Sequence, residues 1–159
     1  MQKLSPIEIN EICEELGETY PKSIEQVHGG NIHSAWKIEF SNKKLFLKRN
    51  TRNKKFLEFE KYCLKDLRKY INQENFVIPE VIAYKNIKNI EILLIEWIDM
   101  HNFDQKKLGK GLGELHLKSA ESNPKMFGFQ VEGFIGTTDQ KKGLESNWID
   151  CFLNLRIIP

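Results

Sequence analysis

The order of periodicities between residues 23 and 98 constrains this chain more than any single motif does. Three strands come first, then one long helix, then two more strands. "SIEQVHGGNIHSAWKIEFSNKKLFLKRN" supplies the three strands, broken at His28-Gly29-Gly30-Asn31 and turned at Ser41-Asn42. "KKFLEFEKYCLKDLRKYI", residues 54–71, spaces its apolar side chains at helical steps. "VIAYKN" and "IEILLIEWI" read as strands on either side of a polar turn near Asn86 to Asn89. Upstream, "SPIEINEICEELG" carries helix punctuation: Ser5 as N-cap, Pro6 in the first turn, Glu8 closing a capping box, Gly17 as terminator. Downstream, residues 105–118 return to helical spacing through Leu108, Leu112 and Leu115. Residues 120–145 read as irregular loop, and "NWIDCFLNLRIIP" starts a further helix. The expected class is α+β in two lobes, with the boundary between Asp99 and Asp104.

Bulk properties exclude several classes. A length of 159 residues suits one domain, and 40% hydrophobic with 29% charged residues is a globular balance. Net charge is only +2, and the basic pairs are scattered among acids, so no nucleic-acid stripe is expected. Cys13, Cys63 and Cys151 lie far apart, which predicts free thiols in a reducing compartment. The first residues lack an apolar signal core. The longest apolar run, "ILLI" at 92–95, is far short of a membrane span. The expectation is a cytoplasmic protein with no membrane partner.

Chemistry gathers around "KLFLKRN". Side chains alternate along a strand, so Lys48 shares a face with Phe46. In the helix that follows, Leu57, Glu60, Leu64, Leu67 and Ile71 form one stripe, which Glu60 interrupts. A Lys48–Glu60 pair would relieve two charges that are each costly to bury alone. Equally, both long side chains can reach water past an apolar rim. Glu58 lies on another face and is expected to be wet. The Gly29-Gly30 turn can bring backbone N–H groups close to phosphate oxygens. "LLIEWID" is an apolar strand end that can offer backbone groups to a flat base. Lysine strand, glutamate helix, glycine turn and apolar edge, in this order, make the small lobe of a kinase.

The stretches "GGNIHSAWKI", "FLKRN", "FLEFEKYCLKDL", "IPEVIAY", "LLIEWIDM", "LGELH", "FGF", "GFIGTTDQ" and "NWIDCFLNLRIIP" resemble the fructosamine kinase (ketoamine 3-kinase) family. That family shares the protein-kinase-like fold with aminoglycoside phosphotransferases and choline kinases. The resemblance implies a small lobe over residues 1–99, with a five-stranded antiparallel sheet plus one helix and nucleotide-binding, and the start of a helical large lobe over 100–159. It implies ATP as cofactor. Lys48 resembles the lysine that holds the α- and β-phosphates, and Glu60 the glutamate that orients it, with Glu58 as the fallback. Gly29, Gly30 and Asn31 to Ser34 resemble the phosphate-covering loop. Phe46 would line the base pocket, Ile95 would stand at the gatekeeper position, and Glu96 and Ile98 would offer backbone groups to adenine. Asp99 can reach the ribose, though a turn cap is its commoner use.

Other polar residues carry weaker expectations. His116 reads as a packed, hydrogen-bonded histidine. His28, His33 and His101 have no ligand spacing, so no metal site is expected. "GKGLG" at 109–113 marks close helix packing. Thr137, Thr138 and Gln140 either shape the substrate side or form a plain loop. Trp148, Phe152 and Arg156 read as packing plus a structural ion pair.

The family's catalytic loop, H-G-D-x-W-x-x-N, and its later magnesium-holding aspartate do not occur here. Asp139 and Asp150 are not preceded by His-Gly. The resemblance therefore implies no catalytic residue in these 159 residues, with the Mg²⁺ ligands expected beyond Pro159. Three readings follow. The first is the N-terminal portion of an ATP-dependent kinase for ketosamines (fructosamine or ribulosamine, on amines or glycated proteins), inactive alone and serving deglycation. The second is a non-catalytic remnant that binds a nucleotide, or a partner through its exposed truncated lobe. The third is an aminoglycoside- or choline-like small-molecule kinase.

Overall fold

The computed structural model describes residues 3–30, 32–74, 76–99, 104–122 and 125–158. Asn31, His101 and the rest of the expected hinge at 100–103 lie outside them. The chain forms two compact units, Met1–Lys65 with Pro79–His101 and Asp66–Ile78 with Asn102–Pro159.

The first unit opens with helix α1 (Pro6–Leu16), whose ends are as the sequence predicts. Ser5 and Glu8 exchange capping bonds, and Gly17 closes the helix in the left-handed region. Strands β1 (Ser23–Val27), β2 (Ser34–Glu39), β3 (Lys44–Asn50), β4 (Val81–Ile87) and β5 (Ile90–Glu96) form one antiparallel sheet in the order β1-β2-β3-β5-β4. Helix α2 (Phe56–Leu67) leaves between β3 and β4. A short 3₁₀ turn, Arg68–Tyr70, extends it, so the helix predicted to run to 71 ends slightly early. The β4–β5 hairpin turns on two residues, Lys88 and Asn89, both at positive φ. That is the twist a two-residue hairpin prefers.

Both faces of the sheet are covered. Leu45 and Leu47 on β3, with Ile92 and Leu94 on β5, join Trp36, Ile38, Ile9 and Ile12 in the core on the α1 side. The alternate residues, Phe46, Leu93 and Ile95, pack with Leu57 and Leu64 of α2. Period-two alternation places one strand in two cores. It also explains why β5 reads as a continuous apolar run rather than an alternating one.

The second unit holds α3 (Gln105–Ser122), β6 (Phe127–Phe129), β7 (Gly133–Ile135), β8 (Thr138–Gln140), β9 (Gly143–Glu145) and α4 (Trp148–Phe152). Residues 127–145, expected as irregular loop, hold four short strands. β7 pairs with β8, and β6 pairs with β9 around them, all antiparallel. Gly128 makes that outer pairing geometrically feasible. Its φ is +125°, and a Cβ there would lie 2.1 Å from the Gly143 carbonyl oxygen. Within "GKGLG", only Gly111 marks close packing: a Cβ there would lie 2.3 Å from the Phe76 Cβ, whereas Gly109 and Gly113 face open space. The buried face of α3 is Gly111 and Leu115, while Leu108 and Leu112 are exposed. The last helix runs on from α4 into a wide π turn, Leu153–Ile157.

Candidate functional site

The α2-facing side of β3 reads Phe46, Lys48, Asn50 in sequence. Opposite them on β5 stand Ile95, Leu93 and Glu91. This row grades from apolar at one end to fully polar at the other, with Lys48 at the transition.

Lys48 Nζ donates to Glu60 Oε1 at 2.6 Å, and each side chain is a little over a quarter exposed, 28% and 27%. The paired arrangement holds, and independent escape to solvent does not. The α2 stripe explains it. Leu57 is fully buried one turn earlier and pins the helix face against Leu93. Three residues on, Glu60 is directed at the strand. Glu58, the fallback, instead pairs with Lys55 at 2.9 Å on the outer side of the helix.

The connection from β1 to β2 meets the same cluster through its last residue, His33. Gly29 has φ +123°, and Gly29 and Gly30 are exposed. Ser34 opens β2. His33, within the stretch expected to cover the phosphates, packs its ring on Phe56 at the start of α2, centroids 5.5 Å apart. Burial pushes its imidazole below the usual value, as do the charges of Lys48 and Arg52, while Glu60 and Glu91 pull the other way. Among the described residues its Nδ1 is buried without a hydrogen-bond partner.

At the apolar end, Phe46 and Trp97 are in ring contact at 6.1 Å, and Ile95 is buried. The Glu96 N–H is already bonded to the Glu80 carbonyl at 2.9 Å. Ile98 is half-buried just past the strand. Asp99 accepts from the Trp97 indole N–H at 2.8 Å, a local turn contact.

The remaining candidates lie in the second unit. His116 is exposed on α3 rather than packed. Thr137 sits in the β7–β8 turn, with Thr138 and Gln140 on β8. Trp148 stacks on Phe152 and meets Phe127 edge-on, yet it is 58% exposed. Arg156 donates to the carbonyls of Lys141 and Leu155, so among the described residues backbone bonds stand where the ion pair was expected. Among the described residues no cluster of His, Cys, Asp or Glu could hold a metal, and no helix is long and apolar enough to cross a membrane.

Among the described residues the burial of two carboxylates was missed, one of them Glu8 of the expected capping box. Glu8 holds α1 to β3: its Oε1 accepts from Arg49 Nε at 2.5 Å and its Oε2 from the Ser5 N–H at 2.7 Å. Burial alone would raise its pKa, but the Ser5 bonds and the Arg49 guanidinium outweigh it and hold the carboxyl below the usual range. A depressed folded pKa gives stability that is fully present above the unfolded carboxylate's value, about 4.3, and lost as pH falls through the folded one. Denaturant melts between pH 7 and 3 should therefore show stability falling in acid, with a shallower fall in Glu8→Gln. Parallel curves would detach Glu8 from the acid response.

Glu91 is the second missed carboxylate. It is 2% exposed and accepts from Asn50, Tyr84 and two backbone amides of α2. Its signal was the period-two position it shares with Leu93 and Ile95.

A family model described as fructosamine kinase matches residues 6–159. A protein named "Probable ketoamine kinase" from Enterococcus faecium is 30% identical over 132 residues, 82% of this chain and 44% of that one. Another of that name from Vibrio cholerae is 26% identical over 157 residues, 96% of this chain and 53% of that one. Among solved structures, a protein described as a fructosamine-3-kinase from Haemophilus somnus superposes with a TM-score of 0.75 at 21% identity, over 94% of this chain and 50% of that one. The aminoglycoside phosphotransferase APH(4)-Ia reaches 0.55 at 12% identity, over 91% of this chain and 48% of that one, a likeness of fold. The chain thus spans about half the length of these relatives. On the match of its family model across nearly all of its residues, the chain belongs to the fructosamine kinase family.

Proposed function

We propose that this chain carries the nucleotide-gripping lobe of an ATP-dependent ketoamine kinase. The observation that carries it is the Lys48–Glu60 pair, half-sheltered on the sheet face beside the glycine loop. Lys48 would hold the α- and β-phosphates, and Glu60 would keep its ammonium oriented. Gly29, Gly30, Asn31 and Ser34 would cover the phosphates with backbone amides. Phe46 and Ile95 would line the adenine pocket, and the Glu96 carbonyl and Ile98 amide would bond the base edge. Residues 1–99 would form this lobe and 100–159 the beginning of a helical one.

The acceptor would be the 3-hydroxyl of a ketosamine, such as a fructosamine or ribulosamine on a protein amine, and the role deglycation. Phosphoryl transfer needs a group to position the acceptor hydroxyl and ligands for Mg²⁺. This chain offers a clamp without that group, so it would bind nucleotide but not turn over alone. Calorimetric titration with ATP and Mg²⁺ should show saturable binding by the 159-residue chain, and an assay with a ribulosamine or fructosamine amine should show no transfer. An absence of binding would overturn the clamp. Robust turnover would overturn the inactivity.

A further inference from the structure

The position before Phe56, the first residue of α2, is a lysine, a poor N-cap. The first amides of a helix still need acceptors. Here they find one far away in sequence. Glu91 Oε2 accepts from the Leu57 N–H at 3.2 Å and from Asn50 Nδ2 at 2.7 Å. Its Oε1 accepts from the Glu58 N–H at 2.9 Å and from the Tyr84 hydroxyl at 2.8 Å. A carboxylate at a helix N-terminus is favoured by the dipole as well as by the bonds.

The supporting groups tie this anchor to the clamp strand. Asn50 stands opposite Glu91 in the β3–β5 register, and Lys48 is two residues before it on the same face. The Asn50 amide also bonds the carbonyls of Arg52 and Lys54 at 3.2 and 2.7 Å, fixing the connection into α2. Tyr84 receives Lys61 of α2 over its ring at 4.3 Å. Leu57, whose amide Glu91 holds, is one helical turn before Glu60.

We propose that Glu91 is a positioning residue for the Lys48–Glu60 clamp, capping α2 from the neighbouring strand and so fixing where Glu60 stands. Its consequence for nucleotide affinity rests on the clamp reading above. Replacement by glutamine cannot reproduce the site. Either orientation of the amide aims its NH₂ at one of the two helix N–H groups, and a donor facing a donor leaves that amide unpaired.

The test is a mutant cycle on the 159-residue chain: Glu91→Gln, Glu60→Gln and both together, at a temperature where all are folded. Three quantities are read: ATP affinity, the rate at which an amine-acylating reagent labels Lys48 (located by peptide mass spectrometry), and stability in denaturant. Glu91→Gln should weaken ATP binding about tenfold and speed Lys48 labelling. In the Glu60→Gln background neither quantity should move further, while the stability loss persists. Equal effects in both backgrounds, or lost stability with labelling and affinity unmoved, would overturn the proposal and leave Glu91 a purely structural residue. Should the wild type not bind ATP, the clamp reading fails and the labelling cycle alone decides the positioning role. Should Glu91→Gln not fold, Tyr84→Phe takes its place in the cycle. It removes one donor without stranding an amide, and silence in both readouts then counts against the proposal.

Discussion

Lys48→Ala should sharply reduce the ATP-dependent rise in melting temperature while leaving the ligand-free protein folded. The ammonium would lose charge-assisted bonds to phosphate, each worth about 1.5–3 kcal/mol, so affinity should fall roughly ten- to a hundredfold. The fold loses little. Lys48 and Glu60 are each about a quarter exposed, so a Glu60 left without its partner can turn toward water, and the loss stays on the order of 1 kcal/mol. The ligand-free melting point should therefore stay within about 4 °C of wild type. Thermal melts with and without ATP and Mg²⁺ check both halves. A mutant that still responds fully to nucleotide would return Lys48 to an ordinary surface lysine.

The preceding residue should behave in the opposite way. Leu47 is fully buried on the other face of β3, between Trp36 and Leu94 in the strand register. Leu47→Ala removes apolar contacts and leaves a cavity, at a cost of about 2–5 kcal/mol. Melting should drop by roughly 10 °C. Well below the transition, ATP affinity should stay within about twofold, because the lost side chain faces α1 and not the clamp. Denaturant melts paired with cold titrations measure the contrast. A drop in affinity as large as that of Lys48→Ala would mean that the two faces of β3 are coupled.

The parts of this architecture that the sequence discloses are those governed by local rules. Ser5, Glu8 and Gly17 bound α1 because their bonding partners are a few residues away. The other strands and α2 are legible because each buries a face, and β5 shows as an unbroken apolar run because it buries both. The Lys48–Glu60 pair was one of two open outcomes, and burial of Leu57 decides it. What escaped depends on distant partners. The β6–β9 pairing brackets an inner hairpin, and strands of three residues are too short to show alternation. Gly128 read as loop material, although its role is to let another strand's carbonyl approach. Arg156 was matched to a carboxylate because it is charged, and it took carbonyls instead. Glu91 drew no role inside its apolar strand because the helix amide it holds, that of Leu57, lies 34 residues earlier.

The two-sided burial of β5 also bears on how the chain reaches its fold. β5 pairs with β4 through a two-residue turn, so that hairpin forms from neighbours in sequence. Its other partner, β3, lies across the whole of α2 and the segment after it. Such a distant pairing is entropically slow. Until it closes, Ile92 to Ile95 stand open to solvent as an uncharged, β-forming run, the segment of this chain most able to adhere to another copy of itself. Glu91 and Glu96 flank that run, and stacking one copy on another would set like charges side by side. The same carboxylate that anchors α2 in the finished fold thereby guards the nascent strand against self-association before the sheet is complete.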